Sequence, residues 1–155
     1  MPFYMENDVH LMTVGYTRQN GIPDTALTVG IYFPQRIMPG ISIFTNNQLI
    51  EGHHALAGEA KYTPALQEHG APKTDAETAT VLTDLMVSYN IALAPDYFVL
   101  ASNGVPQATF EAAIKENAAL HYHPNQFKTQ YVHDFEGAML VGLRWLILRA
   151  TPYTL

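Results

Sequence analysis

The 155-residue sequence has no cysteine, which excludes disulfides and thiolate zinc sites at once. Charge is scarce too. Asp, Glu, Lys and Arg together make up 14% of the chain, against roughly 25% in an ordinary soluble domain. The basic residues number 8 against 14 acidic ones, and the net charge of −6 argues against this chain gripping nucleic acid by itself. No run of about 18 apolar residues is present, so no membrane-spanning helix is expected. The opening Met1-Pro2-Phe3-Tyr4 lacks the basic and long apolar regions of a secretory signal, and a cytoplasmic location is the expectation. What is abundant is apolar. Hydrophobic residues form 48% of the chain, enough for one domain with a real core. So little charge over so much apolar surface predicts a further covering contact, with a homodimer as the expected form.

The order of elements follows from local signals. A helix is predicted over Met5 to Arg18, opening near Asn7 or Asp8 and broken by Gly21-Ile22-Pro23-Asp24. Strands are predicted over Ala26 to Tyr32, Gly40 to Phe44 and Gln48 to Ile50. The last two are joined at Asn46-Asn47, because asparagine tolerates positive φ. Thr74-Asp75-Ala76-Glu77 is a capping box, followed at helical spacing by Ala79, Leu82, Leu85, Met86, Tyr89 and Leu93 until Pro95. Tyr97-Phe98-Val99-Leu100 is apolar without alternation, as in a strand covered on both faces. Pro106 fits the first turn of a helix whose Phe110, Ala113 and Ile114 face inward. Thr129 to Val132 is the last strand. Asp134 then caps a final helix so uniformly apolar that deep burial is expected. The order βββαβαβα, with a helix in front, predicts an α/β domain whose mixed five-stranded sheet is flanked by helices.

Between the third strand and the capping box lies Gly52-His53-His54-Ala55-Leu56-Ala57-Gly58-Glu59-Ala60-Lys61-Tyr62. Glycines bracket an apolar centre and Glu59 follows the second. Such a loop brings backbone and a carboxylate close to a small ligand. Taken alone, Glu59 reads more readily as a solvated loop acid, and Asn7 and Asp8 read equally as helix caps. His69 reads as a solvated histidine. His121-Tyr122-His123 supplies two histidines without a third ligand, a poor metal site.

Several of these segments resemble the second domain of the ROK family of sugar kinases and sugar-responsive repressors. Glu6-Asn7-Asp8-Val9-His10-Leu11-Met12 is similar to the family's Glu-Asn-Asp helix start, and Ala57-Gly58-Glu59-Ala60-Lys61-Tyr62 to its Gly-Glu-Ile-Gly-His loop. Asn90 to Leu100 resembles its Asn-Pro-x-x-Ile-Val-Leu strand, and Gly137-Ala138-Met139-Leu140-Val141-Gly142 its final Gly-Ala-Ala helix. The resemblance runs over nearly the whole chain. It implies an actin-like, ribonuclease H-like fold, of which residues 1–155 are the second half, with the first actin-like domain and any DNA-binding domain outside this chain. It also implies a sugar site made by Asn7, Asp8, Glu59 and Tyr62. Asp8 would be the general base toward a sugar hydroxyl if the protein is a kinase.

The departures from the family shape the expected function. Its kinases hold phosphate with backbone amides of a Gly-Thr-Gly turn between the first two strands. Here Tyr32-Phe33-Pro34-Gln35-Arg36-Ile37-Met38-Pro39 stands in that place, and neither proline has an amide hydrogen to offer. Arg36 reads as a solvated hairpin tip. The second nucleotide motif is reduced to Ala101-Ser102-Asn103-Gly104, and Thr63 to Thr74 has no counterpart of the family's cysteine-rich zinc segment. Neither a nucleotide cofactor nor a structural metal is expected. The expected function is the sugar-sensing and dimerisation part of a ROK-type transcriptional regulator. Its effector would be a sugar or sugar phosphate, and it would reach DNA only through a domain outside this chain. The alternative is a fragment of a ROK sugar kinase, and a third reading keeps the domain for oligomerisation alone.

Overall fold

The computed structural model of the chain describes residues 8–35 and 37–149. Its sheet has five strands in the order β3-β2-β1-β4-β5. They are β1 (Thr28–Phe33), β2 (Gly40–Thr45), β3 (Gln48–Leu49), β4 (Tyr97–Ser102) and β5 (Lys128–Tyr131). The first three pair antiparallel, whereas β1–β4 and β4–β5 are parallel. The sheet is therefore mixed, as the element order predicts: hairpins serve the antiparallel half and helical crossovers the parallel half. The β2–β3 hairpin turns on Asn46 and Asn47, both at positive φ (50° and 60°), the geometry a tight hairpin needs.

Helices cover both faces. On one side lie α3 (Asp75–Leu93), α4 (Gln107–Glu116) and the short α5 (Ala118–Tyr122). On the other lie α1 (Asp8–Gln19) and α6 (Phe135–Leu148), and α2 (Pro64–His69) follows the long loop. Strand β4 shows why its sequence does not alternate. Phe98 and Leu100 enter the core under α3 and α4, while Val99 and Ala101 pack with Val9, Met12 and Ala138 of α1 and α6. Both faces of this interior strand are dry, so its buried residues, Phe98 to Ala101, are all apolar.

The capping box at α3 forms in modified shape. Thr74 Oγ1 accepts from the Glu77 amide at 3.1 Å, but the Glu77 carboxylate accepts from the amide of Lys73, one residue further out, at 2.8 Å. At the other end, Ala94 adopts a left-handed conformation (φ 47°) and donates to the Asn90 carbonyl before Pro95 ends the helix. The buried Asn90 side chain accepts from Asn125 Nδ2 at 2.8 Å. The same nitrogen donates to the Pro95 carbonyl, which ties the end of α3 to the approach of β5.

Two expectations change. Pro106 is the cap residue before α4 rather than part of its first turn. Helix α6 is not deeply buried all round. Ala138, Gly142 and Trp145 face inward, whereas Leu140 (63% exposed), Leu143 (42%) and Ile147 (63%) form an outward stripe. The physical reason is that α6 is the outermost layer, resting on α1 by one face alone. Gly15 of α1 and Gly142 of α6 leave so little room that a side chain on either would meet the other helix's backbone.

Candidate functional site

Three segments meet at one end of the α1 side of the sheet. Asp8 is the first residue of α1 and is exposed, in the turn where a carboxylate is favoured by the helix's free amides. Tyr32 lies near the end of β1 and stacks on Phe135 of α6, ring centroids 4.3 Å apart. Burial first, and the Asp8 carboxylate second, raise the Tyr32 phenol above its ordinary pKa, so it is a neutral hydroxyl across the physiological range.

The third segment is the loop 52–62, and its local sequence explains its placement. Gly58 has φ 86°, and a Cβ there would lie 2.6 Å from the Ile41 carbonyl oxygen. Only glycine lets the loop run that close to β2. Two residues on, Ala60 is buried among Val29, Ile31, Ile41 and Leu66. With Gly58 and Ala60 pinned inward, Glu59 and Lys61 are both left on the exposed side.

Together these groups line a cavity of about 340 Å³ formed by Asp8, Tyr32, Pro34, Ile37, Met38, Pro39, Gly40, Glu59 and Lys61. That volume suits a small ligand. The lining combines two carboxylates and a phenol with the apolar Pro34, Ile37, Met38 and Pro39 of the β1–β2 connection. Two of the expected sugar-binding residues, Asp8 and Glu59, are thus brought together. Tyr62 is not in the lining. It is 64% exposed, and its ring packs against the Lys61 ammonium, 5.2 Å from the ring centroid. Asn7 and Arg36 lie outside the described residues. Sequence reasoning overlooked Tyr32 and Lys61 as lining residues. The charged–apolar–charged pattern of Glu59-Ala60-Lys61 was a signal for Lys61. For Tyr32 there was none, because its position depends on the packing of β1 against α6.

The crevice beyond the carboxyl ends of the parallel strands is the usual place for a nucleotide in an open α/β sheet. Here it is a recess of about 160 Å³ lined in part by Phe33, Pro34, Pro72, Lys73, Thr74, Asn103 and Gly104. The Asn103 amide donates to the Phe33 carbonyl at 2.9 Å, tying the two strand ends together. A larger recess of about 570 Å³ lies between α2 and α3, with Leu66, Ala71, Pro72 and Val81 in its wall, away from Asp8 and Glu59.

The histidines are engaged or isolated. His121 Nε2 bonds the Lys115 carbonyl at 2.6 Å, and His123 Nδ1 accepts from the Asn125 amide at 3.1 Å. His53 and His54 pack edge to face on the loop. Among the described residues no group of three or more His, Asp or Glu is placed to hold a metal ion.

No protein-family model and no curated protein sequence matches the chain. Solved structures do. The ROK hexokinase of Thermus thermophilus superposes with a TM-score of 0.65 at 11% identity, over 94% of this chain and 66% of that one. A ROK family glucokinase from Streptomyces griseus, in complex with glucose and AMPPNP, gives 0.62 at 14% identity, over 91% of this chain and 66% of that one. A ROK family transcriptional regulator, a homolog of the E. coli MLC protein, gives 0.51 at 10% identity, over 88% of this chain and 50% of that one. The chain therefore spans 66% of the length of each of these two kinases and 50% of the regulator. At such identities the likeness is one of fold. The chain has the actin-like ATPase, ribonuclease H-like fold.

Proposed function

We propose that the chain is the sugar-sensing portion of a ROK-type transcriptional regulator, with DNA contacted by a domain outside it. One contrast carries this reading: the sugar side is open and the nucleotide side is not. Asp8, Tyr32 and Glu59 line a cavity of about 340 Å³ with acceptors and a donor suited to sugar hydroxyls. The crevice beyond the strand ends, with Phe33 and Pro34 in its wall, is a smaller recess of about 160 Å³, and the strand ends beside it are bonded to each other. A phosphoryl-transfer site needs several free amides aimed at phosphate oxygens. The alternative, a fragment of a sugar kinase, draws on Asp8, whose place in the cavity suits a general base toward a hydroxyl.

Thermal shift with hexoses, N-acetylhexosamines, their 6-phosphates and ATP-Mg separates the readings. Stabilisation follows RT ln(1 + [L]/Kd), so a ligand at about 100 times its Kd contributes about 2.7 kcal/mol. A response to sugars without ATP is the expected result. A response to ATP-Mg alone would sink the regulator reading, and silence toward every ligand would leave oligomerisation as the function.

Self-association belongs to the same reading. It is supported by the low charge content and by the exposed Leu140, Leu143 and Ile147. Sedimentation velocity at micromolar concentration is expected to show a dimer, and a clean monomer overturns it.

A further inference from the structure

We propose that the molecule carries a second small-molecule site, near the end of α1 opposite Asp8, which holds a small organic oxyanion (a carboxylate or a phosphate monoester) on the Arg149 guanidinium. It is separate from the cavity beside Asp8. Arg18, which marks it, stands ten positions further along the helix (18 − 8), about 15 Å at the rise of an α-helix.

A cavity of about 380 Å³ opens there between the β2–β3 hairpin and the end of α6, lined by Asn47, Gln48, Leu49, Trp145 and Arg149. No acid stands in that lining. The Arg149 guanidinium lies over the Trp145 ring, 5.2 Å from its centroid, so packing places the charge without neutralising it. The ring is itself held, because Trp145 Nε1 donates to Asn47 Oδ1 at 3.2 Å. Arg18 Nη2 donates to the same oxygen at 2.5 Å. Two donors fill the two lone pairs of that oxygen, so what the Asn47 amide has left to offer is its Nδ2 donor.

The cations here have no anion. Among the described residues the ion pair is elsewhere, between Glu68 and His69. Arginines near a helix C-terminus commonly bond its last free carbonyls. Among the described residues Arg18 donates to Asn47 instead, and the Arg149 guanidinium has only the Trp145 ring. Arg18 Nε is buried and bonds nothing, so an anion near Asn47 would also offset a charge that the fold leaves uncompensated. Two of the chain's 8 basic residues thus converge on one hairpin turn, in a protein of net charge −6.

The chemistry of the lining names the ligand. Arginine has five N–H donors and no acceptor, and its planar fork matches an oxyanion. Leu49 and Trp145 add apolar surface, and the volume falls within the roughly 300–1,000 Å³ of organic-ligand pockets. An oxyanion on a compact apolar body satisfies both parts.

Trp145 is the chain's only tryptophan, so its indole N–H signal reports on this cavity alone. The test is a ¹⁵N NMR titration at fixed ionic strength with benzoate, phenyl phosphate and the neutral benzamide. Wild type, Arg149→Met and Arg149→Lys are compared. At least one of the two anions is expected to shift the indole signal saturably, with a Kd at least tenfold below that of benzamide. The tighter of the two assigns the site to carboxylates or to phosphate monoesters. Arg149→Met keeps an apolar stem over Trp145 and should lose the preference for the anion while melting within a few degrees of wild type. Arg149→Lys, which keeps the charge without the fork, should retain part of it. No saturable shift with either anion, equal affinity for benzamide, or a preference unchanged in Arg149→Met overturns the proposal. The sugar-sensing reading stands apart from each of these outcomes.

Discussion

Gly142→Val is expected to lower the melting temperature by roughly 10 °C, the effect of about 3 kcal/mol in a chain of this length. The reason is the seam between α1 and α6. A side chain on Gly142 would be driven into the backbone carbonyl of Leu11, and Gly15 meets Ala138 in the same way from the other helix. A flexible side chain could move aside, but a helical carbonyl cannot, so the helices must separate and expose Val9, Met12 and Ala138. Gly142→Ala tests the sign. Intrinsic helix preference alone would make that change stabilising by about 1 kcal/mol, whereas the close approach makes it destabilising. Ser88→Ala, at an exposed position of α3 away from this seam, is the control and should shift stability by no more than about 0.5 kcal/mol. Differential scanning calorimetry reads all three. A stabilised Gly142→Ala would show that the two helices do not meet as described.

Asp8→Asn is expected to weaken sugar binding roughly 10- to 100-fold, the range for losing one charge-assisted hydrogen bond. Asparagine keeps the shape of the side chain and the helix start, so the ligand-free protein should melt within a few degrees of wild type. A second readout needs no ligand. The Asp8 carboxylate is the lesser of two causes that raise the Tyr32 pKa, after burial. Removing that negative charge makes the phenolate less unfavourable, so Tyr32 should titrate at lower pH in the variant while staying above its ordinary value. A ¹³C-tyrosine NMR titration detects this. An unchanged Tyr32 titration would mean that Asp8 does not face the cavity. A normal sugar affinity with a shifted Tyr32 would mean that it faces the cavity without touching the ligand.

Different parts of this molecule were legible from sequence for different physical reasons. The hairpin at Asn46-Asn47, the Thr74 cap and the end of α3 before Pro95 are decided within a few residues, so local chemistry sufficed. The double-sided burial of Phe98 to Leu100 was legible because a dry environment on both faces leaves no polar position. The same rule failed for α6. Uniform apolarity predicted burial all round, yet Leu140, Leu143 and Ile147 face outward. Composition records that a face needs cover, not whether the chain itself supplies it.

The loop 52–62 shows the division most clearly. Its glycines and Glu59 mark a place of close backbone approach, and that much follows from the sequence by itself, as do the sheet's element order and the lack of cysteine ligands. The tertiary structure alone decided what stands around it. Asp8 is 51 positions before Glu59 (59 − 8), and Tyr32 is 27 positions before it (59 − 32). No local preference links residues so far apart. They share a cavity because α1 crosses the sheet beside β1, and because Gly58 and Ala60 press the loop against β2 and the core, leaving Glu59 and Lys61 exposed.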